Sequence, residues 1–131
     1  MFDVIIEGFI EEIMGMCLDN QIESNEIPEI MVKMLLEIGD DGDMEKIFEE
    51  LTQDCDIDPY GNAVNQLEIY ESVYNEITIH LDKEFATITC KYQDAGYSYD
   101  EAKQRALNTD YIQHLSAIVR VLDKIIEDIQ E

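Results

Sequence analysis

Lysine and arginine are scarce in this 131-residue chain: there are 8, against 31 aspartates and glutamates, and the formal charge is −23. A direct nucleic-acid binder needs a basic footprint, so that role is excluded. A polybasic membrane anchor is excluded by the same sign. Cysteine is also sparse. Cys17, Cys55 and Cys90 are odd in number and form no CxxC pair, so neither a disulfide framework nor a zinc or redox motif can be drawn. The three thiols read as small buried or half-buried hydrophobes in a reducing cytoplasm. Long uncharged apolar runs are missing, so no segment is expected to span a bilayer. The opening MFDVIIEGFIEEIMGMC carries four carboxylates and no Lys or Arg, unlike a signal peptide. There is no glycine-rich phosphate loop, low-complexity tract or internal repeat.

What is abundant is apolar residues, at 46% of the chain, enough for a packed core and too many for a charged disordered tail. At this length a single helical domain, 1–131, is expected, with an acidic part over about 1–62 and a helical scaffold over about 63–131. Helical spacing is strong in four places. Phe2, Ile5, Ile6, Phe9, Ile10, Ile13, Met14 and Cys17 make one wide apolar face, and Asp3, Glu7 and Glu11 form a row beside it. Ile27 to Ile38 repeats the pattern, opening near Pro28 and closing at Gly39. A third helix follows Asp43, a candidate N-cap, with Met44, Ile47, Phe48, Leu51 and Cys55 on one face. The last steps through Tyr111, Leu115, Ile118, Leu122, Ile125 and Ile129.

The middle carries two signals. Asn65 and Glu68 form a capping box, and Leu67, Tyr70, Tyr74, Ile77, Leu81, Ile88 and Tyr92 continue as a helix toward residue 93. ITIHL and ATITC, however, alternate and are β-branched, so a hairpin turning at Asp82–Glu84 competes. No Asn-Gly or Gly-x turn supports the hairpin, and the helix is preferred. Gly96 breaks the chain, and Ser98 with Glu101 opens a short helix. The expected fold is therefore all-α, a compact bundle of five or six helices with a long central and a long C-terminal helix. The alternative is α+β with a hairpin at about 77–92.

The charge is uneven. Residues 1–82 carry −20 and residues 83–131 carry −3; Gly39 to Asp58 holds nine acids against one lysine. Such crowding opposes folding. Solubility alone would be served by mixed signs, so the one-sidedness points to halophilic adaptation or to a role that needs a negative surface.

Other chemistry is weakly supported. Asp54, Asp56 and Asp58 match the first ligand positions of an EF-hand loop, but Pro59 and Asn65 stand where glycine and a bidentate glutamate are required. Glu26-x-x-Glu29 and Glu37-x-x-Asp40 have the letters of a magnesium-dependent pyrophosphohydrolase, yet in so acidic a chain such pairs arise by chance. His80 and His114 sit in no nucleophilic pattern. Tyr60, and the pair Tyr97 and Tyr99, could anchor a protein interface. Neither a catalytic residue, a metal site nor a cofactor is assigned.

The expected function is a non-enzymatic acidic inhibitor that occupies the basic nucleic-acid-binding surface of a partner protein, such as a nuclease or defence complex. This is the DNA-mimic mode of phage-encoded anti-restriction and anti-CRISPR proteins, acting in the (host) cytoplasm. Carboxylates four residues apart on a helix lie about 6 Å apart along its axis, a spacing comparable to successive phosphates. The partner-binding residues are expected to be Glu7, Glu11, Asp40, Asp41, Asp43, Glu45, Glu49, Glu50, Asp54, Asp56, Asp58 and Tyr60. Competing readings are an immunity protein against a nuclease toxin, and a phage assembly or adaptor protein whose stripes at 67–92 and 111–129 form a homodimer seam.

Overall fold

A long helix, α4 (Gln66–Asp94), is the spine on which the other elements lie. In this computed structural model the described residues are 2–37, 44–53 and 65–130. Among them the helices are α1 (Phe2–Asp19), α2 (Ile27–Glu37), α3 (Met44–Thr52), α4, α5 (Tyr99–Leu107) and α6 (Asp110–Gln130), with no strand element. The architecture is all-α, as the periodicity implies. Helix α4 packs against α6, α5 and α2; α1 bridges α6 and α2; and α3 lies on α2.

Helix α4 spans 29 residues, roughly 43 Å, and runs unbroken through the segment where a hairpin competed. The Asn65 side chain accepts from the Glu68 N–H at 3.2 Å and starts the helix. Two of the β-branched residues that suggested strands are accommodated by local hydrogen bonds. Thr87 donates its hydroxyl to the Lys83 carbonyl at 2.9 Å, and Thr89 to that of Phe85 at 2.8 Å. Ile69, Tyr70, Val73 and Ile77 meanwhile bury at helical spacing.

Those residues join Ile118, Leu122 and Leu115 of α6, Ile10 and Ile13 of α1, and Ile27, Met31, Met34 and Leu35 of α2 in one hydrophobic core. Of the two long stripes, Tyr70 and Ile77 on α4 and Leu115, Ile118 and Leu122 on α6 are buried in this core, while Tyr111 and Ile129 are exposed. The other end of α4 receives α5 through the fully buried Ala102 and Ala106, small enough for close approach.

The two ends of α1 and α4 close by the same device. After α1, the Ile22 N–H bonds the Cys17 carbonyl at 3.0 Å and the Gln21 N–H bonds that of Leu18 at 3.1 Å. After α4, Tyr97 N–H bonds the Tyr92 carbonyl at 3.1 Å and Gly96 N–H that of Gln93 at 3.0 Å. Both are Schellman closures with a left-handed residue at the turn: Gly96 at φ 106 and, less comfortably, Gln21 at φ 55. The accompanying apolar contact at the second is the edge-to-face pair Tyr92–Tyr97, with centroids 5.8 Å apart.

Two expectations need correcting. Ile5 is 54% exposed rather than part of the buried face of α1. It stands five residues from Ile10, about 140° round the helix, outside the arc that α2 and α6 cover. Cys17 is buried as a small hydrophobe, but Cys90 is exposed on the side of α4 turned away from the core. Cys55, Asp43 as an N-cap and Gly39 as a helix end lie outside the described residues.

Candidate interaction surface

Helix α1 has no lysine or arginine, so its carboxylates can be paired only from other elements. Helix α6 supplies them on one side. Arg120 holds Asp3 through two bonds, Nη2 to Oδ1 at 3.1 Å and Nε to Oδ2 at 3.4 Å. Lys124 lies 3.7 Å from Glu7. Both helices advance four residues between these two pairs, so α1 and α6 run parallel. Four residues further along both helices stand Glu11 and Asp128, both acidic, so the sequence cannot continue the ladder of opposite charges. The guanidinium of Arg120 holds the Asp3 carboxyl below its ordinary range.

The expected binding residues therefore divide. Glu7 is half-buried and engaged with Lys124. Glu11 is exposed, and its charge adds to burial in raising the Tyr70 hydroxyl above the usual tyrosine range. Glu45, Glu49 and Glu50 are exposed on α3, which docks on α2 while burying Phe48. Glu45 and Glu49, four apart, share one side of that helix. Asp40, Asp41, Asp43, Asp54, Asp56, Asp58 and Tyr60 lie outside the described residues, and with them the candidate calcium loop.

Both histidines have structural partners. His80 Nε2 is 2.8 Å from the Tyr111 hydroxyl, joining α4 to the start of α6. His114 donates from Nε2 to the Leu35 carbonyl at 3.2 Å, closing an acceptor in the last turn of α2. Glu29 of the paired-acid motif is tied to Lys33 at 3.0 Å. Among the described residues no three His, Cys, Asp or Glu side chains come together as a metal site. No helix among them is long and apolar enough to cross a membrane.

The tyrosines after Gly96 have separate environments. Tyr97 is held between Tyr92 and the Arg105 guanidinium, 4.2 Å from its ring centroid. Tyr99 is exposed beneath Lys103, whose Nζ is 5.2 Å from the ring centroid. Lys103 and Arg105 are thus engaged with aromatic faces, far in sequence from the acidic helices α1 and α3.

Residue spacing alone gave no weight to Gly8 and Gly15. Both lie inside α1, and a Cβ at either position would meet nothing within 4 Å. Glycine in a helix interior is the sequence signal that marks them. No family model matches this chain, and no curated protein or solved structure matches it.

Proposed function

We propose that this protein is a non-enzymatic acidic binding protein that occupies a basic nucleic-acid-binding surface of a partner, in the manner of phage-encoded anti-restriction and anti-CRISPR inhibitors. The observation that carries the reading is the segregation of charge. Arg120 and Lys124 are engaged with Asp3 and Glu7 along the α1–α6 seam. Glu11, Glu12 and Asp19 on α1, and Glu45, Glu49 and Glu50 on α3, are exposed to solvent. A rigid set of exposed carboxylates can displace the counterions from a basic groove as phosphates do. Helices hold the spacing fixed, so little ordering cost accompanies binding. The partner is then a nuclease or other nucleic-acid-handling protein, and the site of action is the cytoplasm that contains it.

The test is capture of partners on the immobilised protein, elution by salt, and a gel-shift assay of each captured protein's DNA binding with and without this chain. Loss of DNA binding, with affinity falling at least tenfold between about 50 and 200 mM salt, is the expected result. Partners that bind no nucleic acid, or an affinity indifferent to salt, would overturn the reading.

A further inference from the structure

The outer side of α1 combines exposed apolar side chains with glycine backbone that no described residue covers. Val4 is 69% and Ile5 54% exposed, and Leu18 is exposed at the other end of the helix. Val4, Gly8, Gly15 and Leu18 step by four, seven and three residues, so they follow one side of the helix for roughly 21 Å. An exposed glycine within a helix costs about 1 kcal/mol against alanine. Packing among the described residues explains neither glycine, because none of them lies within 4 Å of a Cβ placed at either position. The opposite side is the buried one, through Ile6, Ile10, Ile13 and Cys17.

Charge complementarity decides what fits this face. Glu11 and Glu12 stand on either side of it between the two glycines, both exposed. Asp19 adds a third exposed carboxylate near its end. With no Lys or Arg on α1, a second copy of this chain would bring these acids against their own equivalents. A partner with cations on both sides of an apolar stripe meets carboxylate with ammonium or guanidinium and covers Val4, Ile5 and Leu18.

We infer that the outer face of α1 seats a basic amphipathic helix of the partner protein, laid along Gly8 and Gly15 where its backbone can come close. This rests on the proposed reading for the sign of the partner's charge, and it adds an apolar, shape-dependent component that a carboxylate array alone lacks. The seated element belongs to the class of basic helices that proteins insert into DNA grooves.

The experiment uses a fluorescein-labelled 18-residue helix of lysine and leucine with one apolar face, and a scrambled peptide of identical composition without that face. Fluorescence anisotropy is measured against the full chain and against the pairs G8L/G15L and V4S/I5S. Melting and helical circular dichroism are followed in parallel. The expected result is at least tenfold tighter binding of the amphipathic peptide than of the scrambled one. Each double variant should lose that preference while melting no lower than the parent. If G8L/G15L melts early, V4S/I5S, altered only at exposed positions, decides the question. Equal binding of the two peptides, abolished by salt, would overturn the seat while leaving the acidic-surface reading intact. Absence of binding by either peptide would also overturn it. So would light scattering that finds a dimer of the parent dissociated by G8L/G15L, which would make a second copy the occupant.

Discussion

Arg120 grips Asp3 across 117 residues of sequence, with Nη2 3.1 Å from Oδ1, and sets α6 parallel to α1. The pair is exposed, so its contribution to stability is small and screened by salt. Its pH dependence has a definite sign. The folded-state carboxyl is held below 3.8 by Arg120, so the contribution is present above that value and disappears as pH falls through the lower, folded-state one. The melting-point gap between the parent and Arg120→Ala should be constant near neutrality and narrow as pH falls below 3.8 and the carboxyl takes up its proton. A gap that persists at pH 2 would mean that Arg120 acts through packing of its stem.

Tyr70 gives the opposite limb. Burial, assisted by Glu11, raises its hydroxyl above 10.0, so the folded state keeps the proton longer than the unfolded chain. Stability from this source is complete below pH 10 and is lost as pH rises through the folded-state value. Tyr70→Phe should therefore flatten the alkaline loss of stability in urea titrations. Glu11→Gln should reduce it only in part, because desolvation is the larger cause.

The acidic helices should be stabilised by losing what the proposed function needs. Replacing Glu45, Glu49 and Glu50 by glutamine changes the formal charge from −23 to −20 and removes the like-charged Glu45 and Glu49 pair, four apart, from α3. The triple variant should melt above the parent at about 0.01 M salt, and the difference should shrink at about 0.1 M as the Debye length falls. The same variant should lose inhibition of the captured partner. Higher stability with unchanged inhibition would place the contact away from α3.

Much of the fold was legible because the periods are long and the caps explicit. Asn65 and Ser98 both accept from the N–H three residues on, as their capping boxes imply. The long helix was ambiguous only over ITIHL and ATITC, where tertiary packing, and in ATITC the back-bonding of Thr87 and Thr89, override a β preference that is weak in itself. What could not be read was how far round a helix the core extends. Ile5 belongs to the apolar stripe of α1 by spacing, and only the placement of α2 and α6 leaves it outside. The candidate surface was legible as a quantity of charge, whereas its division was not. Asp3, Glu7 and Glu11 form one row in sequence, yet the first two face cations from residues more than a hundred positions away. The contrast predicts that Ile5→Ala changes stability by less than about 0.5 kcal/mol, while Ile118→Ala, fully buried, costs about 2–5 kcal/mol. Urea unfolding of the two variants measures both.

The paired helix closures offer an internal control for the glycines of α1. Gly96 and Gln21 hold equivalent left-handed positions, so Gly96→Ala should destabilise and Gln21→Gly should stabilise, each by about 1 kcal/mol. Gly8 and Gly15 obey the reverse rule, because their setting is right-handed helix with open space above. Alanine at each should add about 0.5–1 kcal/mol by removing conformational freedom from the unfolded chain. If G8A/G15A unfolds at higher urea concentration than the parent, glycine at these sites is maintained against stability, and a partner that approaches the backbone supplies the reason. If the double variant is no more stable, the helix itself requires glycine there, and the seat on α1 loses one of its two supports.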